Sequence, residues 1–99
     1  MYARIATFQV GEGGQVDDAI AAAREQVESN WASPPEGLET AKDLFMLVDR
    51  ENGRGMGITL FESEEDLRRG DGALNAMNPS GPSQRTDVGF YEVMLHKQR

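Results

Sequence analysis

Cysteine is absent from the 99 residues, so disulfides, thiolate nucleophiles and thiolate metal ligands are excluded together. Histidine occurs once, as His96 near the C-terminal end, and a single terminal imidazole reads as a solvated side chain rather than part of a ligand set. No metal and no cofactor is expected. Positive charge is the minority: 10 Lys and Arg stand against 17 Asp and Glu, a formal net charge of -7. A partner held through its phosphate backbone needs a basic face, so nucleic acid is not an expected partner. No apolar run approaches the roughly 20 residues of a membrane-spanning helix, and Met1 leads into a strand pattern rather than a basic, then apolar, leader. The expectation is a cytoplasmic chain without a membrane partner.

What is present is organised around residues 44–63, LFMLVDRENGRGMGITLFES. Two apolar arms flank Asn52-Gly53, the strongest short-range signal for a type I′ hairpin turn. A two-residue loop places Glu51 opposite Arg54 and predicts the pairs Asp49/Met56, Leu47/Ile58, Phe45/Leu60 and Asp43/Glu62 on one face. The other face then carries Val48/Gly57, Met46/Thr59 and Leu44/Phe61. Both faces are apolar, whereas a sheet with one wet face alternates apolar with polar. Helices of the same chain can cover one side only, so a second copy is the economical cover for Phe45, Leu47, Ile58 and Leu60.

Residues 2–10 read as a first strand ending at Gly11. A helix follows from Val16, with Asp17 and Asp18 in its first turn and Ile20, Ala23, Val27 and Trp31 at helical spacing, until Pro34-Pro35 ends it. After the hairpin, Ser63 and Asp66 form a variant capping box that opens a second helix, with Glu64/Arg68 and Glu65/Arg69 as i,i+4 pairs. Leu67, Leu74 and Met77 form its buried stripe. Gly70 and Gly72 each cost about 1 kcal/mol relative to alanine in a helix, and read as close packing, a helix break or a loosened lid. Residues 78–87 carry turn chemistry and predict a mobile surface loop, and residues 88–95 a last strand. The order is β-α-β-β-α-β in one domain, 1–99. This is a ferredoxin-like α+β class: a four-stranded antiparallel sheet with two helices on one face.

With YARIATFQV, QVDDAI, LFMLVDRENGRGMGITLFESEEDL and a closing YEV in place, nearly the whole chain resembles the antibiotic-biosynthesis monooxygenase-like (ABM) domains of the dimeric α+β barrel superfamily. The resemblance implies a homodimer in which two such sheets pack face to face, with helices outside. It also implies a small-molecule pocket between the sheet and its own helices. Where the monooxygenases of the family carry an Asn and a Trp four residues apart on the third strand, this chain has Gly57 and Phe61. The haem-degrading branch fits less well, with Thr7 in place of its first-strand Asn and no His on the second helix.

The pocket so implied is bounded by Thr7, Trp31, Met46, Gly57, Thr59, Phe61, Leu67 and Tyr91, with missing volume at Gly57 and a hydroxyl at Thr59. The competing expectation is a solid core filled by Trp31, Ile20, Val27, Leu67 and Leu74. Arg4 and Glu92, by alternation, are expected together on the dimer-facing side, where buried charges must pair. Two functions follow. One is cofactor-independent monooxygenation of an aromatic or quinol-type molecule, in which the substrate supplies the electrons and the protein a base and a dry site. The other is a non-catalytic dimeric domain that binds a small hydrophobic ligand or serves assembly. No general base is assigned; Glu62 and His96 are remote candidates.

Overall fold

The computed structural model describes residues 1–11, 14–77 and 84–99. Its elements are β1 (Tyr2–Gln9), α1 (Gly14–Ala32), β2 (Asp43–Asp49), β3 (Arg54–Phe61), α2 (Glu64–Asn75) and β4 (Gln84–Glu92). The strands form one antiparallel sheet in the order β2-β3-β1-β4, which is the ferredoxin-like βαββαβ arrangement. Among the described residues no helix is long and apolar enough to cross a membrane.

The hairpin departs from its expected turn. Asp49 pairs with Arg54, which leaves Arg50, Glu51, Asn52 and Gly53 as a four-residue loop. A type I′ turn needs positive φ at both central residues, and here only Gly53 has it, at +63°. The Asp49 carboxylate instead accepts hydrogen bonds from the Asn52 backbone N–H (3.2 Å) and its side-chain amide (2.8 Å), an Asx closure. Gly53 then donates nothing to β2 but accepts from Val10 N–H at 2.8 Å and Gln9 Nε2 at 3.1 Å, which pins the loop to the end of β1. A Cβ at Gly53 would run into the Gly11 carbonyl. The register therefore shifts by two residues, to Phe45↔Ile58, Met46↔Gly57 and Leu47↔Met56. Because side chains alternate with period two, a shift of two leaves every residue on its expected face.

The last strand also moves. β4 spans Gln84–Glu92 rather than 88–95, because β1 offers backbone partners along its whole length, down to Gln9↔Gln84. The polar stretch Gln84, Arg85, Thr86 and Asp87 is thus strand rather than loop, held by ladder bonds that side-chain propensity does not reveal. A bulge opposite Thr7 and Phe8 absorbs one residue. It is closed by two hydroxyls: Thr86 Oγ1 donates to the Thr7 carbonyl at 3.2 Å and Thr7 Oγ1 to the Asp87 carbonyl at 3.4 Å. Residues 78–83 of the expected loop lie outside the described residues.

One side of the sheet carries Tyr2, Arg4, Ala6 and Phe8 of β1, Leu44, Met46 and Val48 of β2, Gly55, Gly57, Thr59 and Phe61 of β3, and Val88, Phe90 and Glu92 of β4. Both helices lie there. α2 starts at Ser63, whose extended backbone and hydroxyl cap the Asp66 N–H at 3.1 Å. It settles on Phe61 through Gly70, since a Cβ at Gly70 would overlap the Phe61 ring. Phe61 and Leu67 are the largest fully buried side chains. Gly72 faces open space. So the two helical glycines differ: one is close packing, the other is not required by any neighbour.

α1 meets the sheet at its own beginning, where Val16 and Ala19 pack with Val10, Phe8 and Ile20. Asp17 and Arg50 pair at 2.6 Å and tie this turn to the hairpin loop. The expected stripe runs out along the helix, and Trp31 is left 51% exposed. Arg68 pairs with Glu64 at 2.8 Å as expected. Arg69 does not take Glu65 but crosses to Glu39 at 2.6 Å, and the same carboxylate accepts the Gly37 N–H at 2.6 Å. The loop before β2 is thereby fastened to α2.

These contacts predict two outcomes. Gly70→Ala destabilises by roughly 1–3 kcal/mol through overpacking against Phe61, whereas Gly72→Ala stabilises by up to about 1 kcal/mol through helix propensity; urea denaturation of both variants measures the opposite signs. The Glu39 carboxyl is held below its ordinary pKa by its own backbone N–H, then by Arg69 and the Gly37 N–H. Its stabilisation is therefore complete above the unfolded value, about 4.3, and is lost as pH falls through the lower folded value. The stability difference between the native chain and Glu39→Gln should be constant near neutrality and shrink only in that acid window.

Candidate functional site

The elements bring five of the expected pocket residues to one region of the helix-bearing side: Met46, Gly57, Thr59 and Phe61 from the sheet and Leu67 from α2. The volume missing at Gly57 is taken up locally. A Cβ placed there would lie 3.3 Å from Met46 Sδ and 3.7 Å from the Phe8 ring, so the thioether and the ring occupy the space above the glycine. Thr59 is buried between Arg4 and Leu44, its partners in the sheet.

Three expected members lie elsewhere. Thr7 pairs with Met56 and Asp87 on the opposite side of the sheet, where its hydroxyl is engaged in the bulge. Tyr91 pairs with Ala3, also on that opposite side, and its ring covers Gly89. Trp31 does not reach the sheet core. The cause is the parity of β1 and β4. The pairing of β1 with β3, and of β4 with β1, turns Tyr2, Arg4, Ala6 and Phe8 and, on the Glu92 side of the bulge, Val88, Phe90 and Glu92 toward the helices, and Thr7 and Tyr91 away.

The same parity relocates Arg4. It does not face away from the helices with Glu92; it is 4% exposed beneath α2. Its Nε donates to Asp71 Oδ1 at 2.8 Å and its Nη2 to Asn75 Oδ1 at 3.2 Å, while Asn75 Nδ2 donates to the other Asp71 oxygen at 3.2 Å. This closed set satisfies a buried guanidinium through neighbours one helical turn apart. The i,i+4 spacing of Asp71 and Asn75 was its signal in the sequence. Glu92 lies on the helix-bearing side but is exposed, as are Glu62, which pairs with Lys42 at 3.6 Å, and His96. The sheet partners of Thr59 are Leu44 and the paired Arg4. Among the described residues no group of three or more His, Cys, Asp or Glu is placed to hold a metal ion.

The four residues expected to meet a second copy do share the far face, joined by Ala3, Ile5, Met56 and Tyr91. Leu60 is buried and Ile58 half-buried within the single chain, while Phe45 and Leu47 stay open. Met46 and Val48, on the helix-bearing side of β2, are open as well, so four consecutive apolar residues of this edge strand are 41 to 51% exposed. A separate recess of about 180 Å³ opens where the first turn of α2 meets the ends of β1 and β4. Tyr2, Leu67 and Phe90 form its apolar walls.

Removing one member of the Arg4 pair strands a buried charge. Asp71→Ala should cost roughly 2 kcal/mol, less than the 3–5 typical of fully buried pairs because Asp71 retains some solvent contact. The double variant Arg4→Met, Asp71→Leu should recover most of that loss, as equilibrium unfolding of the three chains would measure.

No protein-family model and no curated protein matches this chain.

Proposed function

We propose that the chain acts as a homodimeric α+β-barrel domain, of the kind the resemblance to ABM domains implies, and that it is a non-catalytic unit for assembly or for holding a small hydrophobic molecule. The observation that carries this reading is the far face of the sheet. Phe45 and Leu47 are about half exposed beside Ile5, Met56 and Ile58, with no helix among the described residues over them. The polar residues Asp43, Asp49, Arg54 and Asp87 lie around the margins of this apolar centre, an arrangement typical of protein interfaces. Packing a second copy over the patch removes apolar surface from water at about 25 cal/mol per Å², and the two-fold contact is self-complementary by construction.

Monooxygenation of an aromatic or quinol-type molecule is the second reading, favoured by the open apolar wall of Met46 and Val48 on the helix-bearing side. In that chemistry the deprotonated substrate reduces dioxygen; one oxygen atom stays on the ring and the other leaves as water. The arrangement around Thr59 supports it less, since Gly57 supplies no amide and its volume is filled by Met46 and Phe8.

Sedimentation equilibrium at micromolar concentration should give twice the 10.9 kDa chain mass, and Leu47→Glu, a surface change in the single chain, should give one. A native chain that sediments as a monomer overturns the dimer. Oxygen uptake with a panel of quinols should show no dependence on the protein. Uptake that requires the protein and is reduced in Thr59→Val would establish the second reading in place of the first.

A further inference from the structure

The recess at the α2 end of the sheet lies apart from both the far face and the Thr59 region, and its lining has a definite chemistry. Two aromatic residues of the helix-bearing side, Tyr2 and Phe90, share it with Leu67. Its charged groups are Glu64, Arg68 and Glu92. Arg68 is already engaged, donating from Nη2 to Glu64 Oε1 at 2.8 Å, so that pair is neutral toward an incoming ligand. Glu92 makes no ion pair among the described residues. The recess therefore carries one net negative charge alongside aromatic rings whose faces are themselves electronegative.

That combination discriminates among ligand classes. A helix N-terminus by itself attracts anions, but the first turn of α2 is already filled by Glu64, Glu65 and Asp66, which turns the local field against them. Small, strongly hydrated metal ions require several oxygen ligands, and one free carboxylate does not supply them. A large, weakly hydrated organic cation needs few oxygens and gains most from aromatic walls. At about 180 Å³ the recess admits a small group of this kind.

We infer that this recess binds a quaternary ammonium group, with Tyr2 and Phe90 as its aromatic walls and Glu92 as its counter-charge. The inference does not rest on the dimer or on any activity at Thr59. The group could be carried by a free small molecule or by a trimethylated lysine; the shared chemistry is the methylated ammonium.

Tyr2 lines the recess, so its ring proton resonances report on it directly, while Tyr91, whose ring covers Gly89 on the far face, serves as an internal reference. Titration with tetramethylammonium chloride, against sodium chloride at equal ionic strength, should shift the Tyr2 ring signals saturably. Phe90→Ala should weaken the apparent affinity roughly tenfold, and Glu92→Gln should weaken it while leaving the fold intact, since both side chains are exposed in the native chain. A parallel titration with a trimethyllysine peptide identifies the source: saturation by the peptide alone assigns the group to a protein ligand, and saturation by both to the ammonium itself. Shifts that are linear in concentration, equal in sodium chloride, or unchanged in both variants overturn the proposal. Sedimentation of the same samples separates this result from the fate of the dimer.

Discussion

The seat of α2 on the sheet is the contact on which the rest of the structure depends. Gly70 lets the helix backbone approach the Phe61 ring more closely than any side chain would allow, and Arg4 then reaches from β1 to Asp71 and Asn75 on the same helix. One contact is steric and the other electrostatic, and they act on neighbouring turns. Together they decide which side of β1 and β3 is the inside. Arg69 carries the effect outward, since its bond to Glu39 fastens the loop that leads into β2.

From that seat the two sides of the sheet acquire unequal cover. α2 protects Phe61, Leu67 and Thr59, which are buried. α1 is held at its first turns by Val16 and Ala19 and by the Asp17–Arg50 pair, so its far end, with Trp31, contributes little to the core. The edge strand β2 is consequently apolar and open on both faces. Unpaired edges of this composition invite further association, and a second copy is the partner proposed to cover it.

Much of the architecture was legible in the residues because it depends on local patterns. The Ser63 cap, the end of α1 before Pro34 and the alternation along both hairpin arms all follow from interactions within a few residues. The hairpin turn is not set by Asn52-Gly53 alone: the Asp49 carboxylate closes a longer loop, and Val10 binds its tip. The extent of β4 depends on a distant strand for a related reason: Gln84 to Asp87 carry turn-prone side chains, yet β1 supplies them with backbone partners. As for the candidate site, Gly57, Thr59 and Phe61 of β3 and Leu67 of α2 lie on one side of the sheet, while Thr7, Tyr91 and Trp31 lie apart from them.

The sequence by itself determined the order of elements, the alternation within each strand and the pairing of apolar faces across the hairpin, because these repeat with the two- and 3.6-residue periods of the chain. That is also why a two-residue error in register did not disturb the faces of β2 and β3. Only the tertiary structure decided which side of β1 and β4 turns inward. A strand written Tyr-Ala-Arg-Ile-Ala-Thr-Phe has small, polar and large residues at both parities, so its own pattern is nearly balanced. The balance is broken by partners distant in the chain: Thr59 and Phe61 in the ladder, and a helix whose Asp71 and Asn75 offer a buried arginine the bonds it cannot do without.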